Sequence, residues 1–99
     1  MQRMRLFIDT HDKTTGTFPE SIGREDFGAV YRQYAEACRE EGVVIVNTLV
    51  NGGDGRMFCL NLAPDPDAIR RAHERIGLKF DSITEVTAAS PGDIYFQWT

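Results

Sequence analysis

Apolar residues follow the spacing of β-strands in four segments of the chain. The second segment is a run of β-branched residues, which fit the pleated surface of a buried strand. The glycine-rich turn that follows it, residues 51–55, is typical of a hairpin. The pattern therefore predicts four strands, of which the middle two form a hairpin, at residues 4–11, 43–50, 56–62 and 80–88.

Two segments between the strands carry apolar residues at steps of three and four, the spacing of one face of a helix. The first, residues 24–41, has acidic residues in its first turn, where the helix dipole favours negative charge, and Gly42 ends it. The second begins at the N-cap Asp65 and Pro66 and ends at Gly77. The apolar faces are Phe27, Val30, Tyr31, Tyr34 and Cys38 in the first helix and Ile69, Ala72, His73 and Ile76 in the second.

The order strand, helix, strand, strand, helix, strand is that of the ferredoxin-like βαββαβ fold. Right-handed crossovers place both helices on one face of a four-stranded antiparallel sheet, so the predicted class is α+β. A chain of 99 residues is expected to form one domain, residues 1–99. Residues 90–99 extend it at the C-terminus, and residues 94–98 have the composition of a short added strand.

Both faces of the predicted sheet are apolar, although only one can be covered by the helices. A sheet face exposed to water normally carries polar residues, so an apolar one indicates an association surface. Self-pairing about a two-fold axis is the commonest arrangement, and we therefore expect a homodimer. The alternative cover is the C-terminal segment, in which one face carries Ile94, Phe96 and Trp98.

The charge of the chain argues against nucleic acid as a partner. The formal net charge is −4 and the basic residues are scattered, whereas a nucleic-acid footprint needs clustered Lys and Arg. The N-terminal apolar run is too short for a signal peptide or a membrane span, so we expect no membrane partner and a cytoplasmic location. Cys38 and Cys59 form no C-x-x-C motif, which favours two buried thiols over a zinc ribbon or a disulfide.

Polar residues in the strands mark a candidate site. If Leu6 and Ile8 face the helices, Phe7, Asp9 and His11 face the open side of the sheet. The first strand lies between the third and fourth in this fold, so polar residues of all three are expected to converge there. Carboxylate, imidazole and thiolate ligands together suit a divalent ion such as nickel or zinc, whereas the same set could hold a small polar ligand. The metal candidates are Asp9, His11, Cys59 and Glu85, and the ligand-binding candidates are Phe7 and Asn61.

Each of these residues also has a simpler interpretation. His73 shares a helix face with Ile69 and Ile76, so we expect it to be a structural residue on the helix side, separated from His11 by the sheet. The strand residues have ordinary alternatives too: a solvated His11, a turn-bonding Asp9, a solvent-facing Glu85 and a small buried Cys59.

Four segments, in order, carry a resemblance to a known family: residues 8–11 (Ile-Asp-Thr-His), 57–64, 72–77 (Ala-His-Glu-Arg-Ile-Gly) and 83–86. They resemble small bacterial proteins of largely unknown function, some described as nickel-binding or nickel-responsive. The resemblance implies a ferredoxin-like dimer of bacterial origin and a Ni²⁺ or other divalent transition-metal cofactor. The resemblance implies only four residues of this chain as candidates for the metal site: Asp9, His11, His73 and Glu85. The chain departs from the family at Asp12 and at Leu78-Lys79, where members often have histidine.

Three functions are compatible with this pattern. The first is a non-enzymatic homodimer that binds a divalent metal or a small ligand, and we rank it highest. The second is a plain protein-interaction module, and the third is a cofactor-free oxygenase or isomerase of the dimeric α+β barrel type. The sequence has no nucleophile triad, phosphate-binding glycine loop or H-E-x-x-H motif, so no catalytic residue is assigned.

Overall fold

Four strands and two helices follow one another in the predicted order, and the computed structural model describes residues 3–89. The strands join in the order β2-β3-β1-β4 with every pair antiparallel, which confirms the ferredoxin-like α+β fold. Residues 90–99, which include the predicted extra strand, lie outside the described residues. The elements are β1 (Arg5–Asp12), α1 (Arg24–Glu40), β2 (Val44–Asn51), β3 (Arg56–Ala63), α2 (Pro66–Arg75) and β4 (Ser82–Glu85), with a short 3₁₀ turn at Lys13–Thr15.

Helix α2 begins and ends where its sequence predicts. The Asp65 side chain accepts a hydrogen bond from the backbone N–H of Ala68 at 2.9 Å, and Pro66 occupies the first turn. Gly77 follows the last turn with a φ of 66°, a left-handed conformation that glycine adopts without the steric cost of a Cβ. The position of α2 matters for the site because its inner face carries His73.

The faces of the sheet are the reverse of those predicted. In β1 the buried residues are Phe7, Asp9 and His11, and they lie beneath the helices, whereas Leu6 and Ile8 are only partly buried on the open side. The same reversal holds in β3, where the buried residues are Met57, Cys59, Asn61 and Ala63. The prediction failed because both faces are apolar, so alternation alone does not identify the side that the helices cover.

The open face of the sheet is apolar across its three long strands. Ile8 pairs with Leu60 at its centre, and on the edge strand β2 Val44 and Leu49 have exposed fractions of 52% and 59%. A bulge between Ile45 and Asn47 shifts the register of β2 against β3. The apolar residues of this face are Leu6, Ile8, Val44, Leu49, Phe58, Leu60 and Leu62.

The core lies between the sheet and the two helices. Tyr34 and Cys38 of α1 and Ile69 and Ala72 of α2 pack there against the buried residues of β1 and β3. Within residues 3–89 both cysteines are free and buried, in agreement with the prediction. Neither helix in this part of the chain is long and apolar enough to cross a lipid bilayer.

Candidate metal centre

Three ionisable side chains from two elements meet in the core beneath the helices. Nε2 of His11 lies 2.9 Å from Oδ2 of Asp9, and Nε2 of His73 lies 3.1 Å from the same oxygen. The two imidazole rings stack, with centroids 5.4 Å apart and planes at 23°. All three side chains are inaccessible to solvent. A carboxylate and two imidazoles thus converge on one buried point.

Helix α2 brings His73 to this point, as the family resemblance allows, although the predicted face of the sheet places it on the opposite side from His11. The prediction that the sheet separates His73 from His11 is wrong, because β1 turns His11 toward the helices. His73 sits one turn after Ile69 on the buried face of α2, and its ring reaches the carboxylate of Asp9. The reversal of the sheet faces therefore assembles a cluster that the predicted orientation would have divided.

Backbone carbonyls fix the far side of both imidazole rings. Nδ1 of His11 lies 2.7 Å from the carbonyl oxygen of Lys79 and 3.3 Å from that of Thr17. Nδ1 of His73 lies 2.8 Å from the carbonyl oxygen of Ile69. A carbonyl oxygen can only accept a hydrogen bond, so each Nδ1 must carry a proton and donate it. The remaining nitrogen of each ring, Nε2, faces Asp9.

Each of the two contacts between Nε2 and Oδ2 needs a proton or a metal ion between its atoms. A neutral imidazole has one ring proton, which Nδ1 already carries, so the lone pair of Nε2 would face a lone pair of Oδ2. Protons between these atoms, or a metal ion bound by all three, would remove this repulsion. Burial by itself would raise the pKa of Asp9, but the hydrogen bonds and charges of His11 and His73 lower it below the ordinary value.

The Asn61 amide bonds to the other oxygen of the carboxylate and also to the phenol of Tyr34. The Asn61 side-chain NH₂ donates to Oδ1 of Asp9 and to the hydroxyl of Tyr34, both at 3.0 Å. Oδ1 of Asn61 is buried and has no hydrogen-bond partner within the described residues. Burial raises the pKa of Tyr34, and the charge of Asp9 adds to the effect, so the phenol stays protonated. Tyr34 was missed because it was counted only with the apolar stripe of α1, although a buried hydroxyl needs a partner.

Two other predicted site residues, Cys59 and Phe7, are buried near this cluster but are not part of it. Cys59 Sγ is 4.0 Å from Nε2 of His11, but the three mutually close ligand atoms belong to Asp9, His11 and His73 alone among the described residues. Burial raises the pKa of the Cys59 thiol, and the Asp9 charge acts in the same direction. Phe7 is buried in the core, with the Arg5 guanidinium 5.4 Å from its ring centroid.

Glu85 does not reach the cluster. Its register partner in β1 is Phe7, and its carboxylate pairs with Arg5 at 3.3 Å with a side-chain exposure of 52%. The expected convergence of Glu85 with Asp9 and His11 therefore does not occur. By register Glu85 shares the face of Phe7, Asp9 and His11, but it lies opposite Phe7, two positions from the residue that faces Asp9, and its side chain turns to Arg5.

An apolar groove borders the cluster. It has a volume of about 60 Å³ and is lined by residues of the 18–22 loop, by Met57 and Leu78, and by Phe27, Val30, Tyr31 and Tyr34 of α1. Pockets for small ligands are commonly about 300–1,000 Å³. This groove is therefore too small for a typical organic ligand.

Comparison with known proteins gives a family and a fold. A family model described as nickel responsive protein SCO4226-like matches residues 7–86. The crystal structure of SCO4226 from Streptomyces coelicolor A3(2) is similar with a TM-score of 0.71 and 26% identity, over 86% of this chain and 99% of that one. An unknown protein from Galdieria sulphuraria has a TM-score of 0.56 and 14% identity, over 90% of this chain and 49% of that one, and shows the fold alone. No curated protein matches the chain.

Proposed function

The chain belongs to the SCO4226-like family of nickel-responsive proteins, and from this premise we propose that it binds a divalent transition-metal ion of the nickel type. The ligands are Oδ2 of Asp9, Nε2 of His11 and Nε2 of His73. One observation carries the proposal. The Nε2 atoms of the two histidines face the same carboxylate oxygen, while their Nδ1 atoms are bonded to backbone carbonyls.

The distances in the cluster fit a bound ion. Ligand atoms that each lie about 2.1 Å from a metal are about 3.0–3.4 Å apart at octahedral or tetrahedral angles. The two nitrogen–oxygen distances are 2.9 and 3.1 Å, so the rings need only small shifts to accept an ion. Two imidazoles and a carboxylate suit nickel, zinc or cobalt better than the oxygen-preferring ions magnesium and calcium.

The surroundings of the trio support the proposed metal site. Metal-binding histidines usually donate the second ring N–H to a carbonyl or carboxylate, which fixes the tautomer and leaves the other nitrogen free to bind. Lys79 and Ile69 supply such carbonyls here. The unpaired Oδ1 of Asn61 offers one more buried acceptor beside the carboxylate, which suits a metal-bound water.

Calorimetric titration of Ni²⁺ into the metal-free full chain tests the proposal. The wild type is expected to bind one ion per chain, and His11→Ala and His73→Asn are expected to abolish binding. These are the only two histidines in the sequence, so no other imidazole can substitute. Glu85→Ala is the matched control and should bind as the wild type does, because its carboxylate pairs with Arg5.

Absence of uptake by the wild type would remove the proposal. Unchanged uptake by a folded His73→Asn variant would also remove it, since α2 would then contribute no ligand. Circular dichroism of each variant establishes that the fold is retained before the affinities are compared.

We further propose that the open face of the sheet pairs with a second copy of the chain. Three strands of eight residues form a surface of roughly 26 Å by roughly 14 Å, which is several hundred Å². Apolar patches of that size usually mark an interaction surface. A two-fold axis through its central pair, Ile8 and Leu60, would bring identical side chains of the two copies together.

The structure gives less support to the other two functions. The enzyme alternative needed a pocket on the open face that holds His11 or Glu85, and neither side chain faces that way. The plain interaction module was favoured only if the polar residues failed to converge, and Asp9, His11 and His73 do converge.

A further inference from the structure

The two histidines of the cluster are held by carbonyls of different origin. The carbonyl oxygen that accepts the hydrogen bond from Nδ1 of His73 belongs to Ile69, one turn earlier in the same helix. The helix itself therefore orients that ring. The carbonyls near Nδ1 of His11 belong to Lys79 and Thr17, in two loops that are remote from each other in the sequence. The orientation of His11 therefore depends on whatever holds those two loops together.

Asp81 holds them together. Its carboxylate accepts hydrogen bonds from the hydroxyl of Thr15 at 2.8 Å and from that of Thr17 at 3.0 Å. Its backbone N–H donates to the carbonyl oxygen of Thr10 at 2.8 Å, which anchors the same residue to β1. Asp81 lies two positions after Lys79 and bonds directly to Thr17, so it restrains both segments that supply the carbonyls.

The Thr17 hydroxyl has a defined place in this arrangement. It accepts from the backbone N–H of Asp12 at 2.8 Å, and the acceptors in reach of its proton are the Asp81 carboxylate at 3.0 Å and the Asp12 carbonyl oxygen at 3.2 Å. The 13–17 turn is thus tied at one end to β1 and at the other to the chain segment that leads into β4.

We propose that Asp81 is a positioning residue for the metal site, and this rests on the proposed function. By bonding to Thr15 and Thr17 it keeps the carbonyls of Lys79 and Thr17 at Nδ1 of His11. That contact retains the proton on Nδ1 and presents the lone pair of Nε2 toward Asp9. Asp81 itself is exposed and touches no member of the trio.

Hydrogen exchange of the Nδ1 proton of His11, measured by NMR on the metal-free protein, is the direct test. In Asp81→Ala this proton is expected to exchange about tenfold faster, the factor that one hydrogen bond of ordinary net strength supplies. The Nδ1 proton of His73 should be unaffected and serves as an internal control. Asp54→Ala removes a carboxylate from the β2–β3 turn and is the matched surface control.

A second variant keeps the test decisive if Asp81→Ala does not fold. Thr15→Val preserves the shape of an exposed side chain and removes one donor to Asp81, so it should accelerate the same exchange by a smaller factor. Asp81→Asn retains one acceptor oxygen and should lie closer to the wild type. Unchanged exchange at His11 in the folded Asp81→Ala or Thr15→Val protein would overturn the proposal.

Nickel titration provides the functional readout. Loss of an outer-shell partner typically weakens metal binding by about 10–100-fold, and that is the expected loss in Asp81→Ala. If the wild type takes up no nickel, the proposed function fails while the exchange measurement still decides the role of Asp81. If the wild type binds and Asp81→Ala binds equally well, the positioning role fails alone.

Discussion

Replacement of Asp9 by alanine should be among the most destabilising substitutions in this chain. The carboxylate receives three contacts, from His11, His73 and Asn61, at 2.9, 3.1 and 3.0 Å. Breaking a buried charged set by removing one partner costs about 3–5 kcal/mol, because the remaining groups are left unpaired. A domain of this size has a total stability of about 5–15 kcal/mol, so the loss is a large share of it.

Urea unfolding followed by far-UV circular dichroism, with EDTA present, measures this loss. With a slope of about 1–3 kcal/mol per molar urea, the unfolding midpoint should fall by more than about 1 M. Glu85→Ala is the control, because exposed ion pairs contribute about 0–1 kcal/mol and Glu85 is half exposed. Asp9→Asn should lose less than Asp9→Ala, since the amide keeps an acceptor for Asn61. If Asp9→Ala is as stable as Glu85→Ala, the buried network does not hold the core as described.

Three further predictions concern protons, thiols and assembly. Nickel binding at fixed pH should release protons, because Nε2 must be unprotonated to bind; titration heats that do not vary between buffers of different ionisation enthalpy would contradict this. Burial raises the pKa of Cys38 from 9.0 to about 11, so the unfolded chain loses its thiol proton first. Cys38 should therefore lower the free energy of unfolding between about pH 9 and pH 11 by up to about 1.4 kcal/mol per pH unit, a contribution that Cys38→Ala should remove. Leu60→Glu should produce a monomer in light scattering while Gln33→Glu on α1 does not, and a monomeric wild type at high concentration would refute the dimer.

The element order could be predicted because each element has a local signal. The β-branched run before the 51–55 turn identifies a hairpin, and Asp65 with Pro66 identifies the start of α2. The family resemblance pointed to the same fold and is confirmed by the match over residues 7–86. Strand β4 was predicted over residues 80–88 and is shorter, Ser82–Glu85, because residues 80 and 81 belong to the segment that contacts His11 and the 13–17 turn.

The faces of the sheet could not be predicted by alternation. Leu6 and Ile8 are more apolar than Asp9 and His11, so the usual preference assigns them to the core. That preference fails here because His73 and Tyr34 bring polar atoms to the helix side and satisfy those of Asp9 and Asn61. Pairing of polar groups from separate elements depends on the tertiary structure, and the residue pattern of a single strand does not predict it.

Asp9 and His73 lie 64 residues apart in the sequence, so an ion bound between them would have a mechanical role as well as a chemical one. An ion that joins them would act as a removable cross-link between the first strand and the second helix, closing most of the chain into a ring. Ligand binding to the folded state alone adds about 2.7 kcal/mol when the free ligand is 100 times its dissociation constant. The melting temperature of this protein should then rise and fall with the metal content of its surroundings.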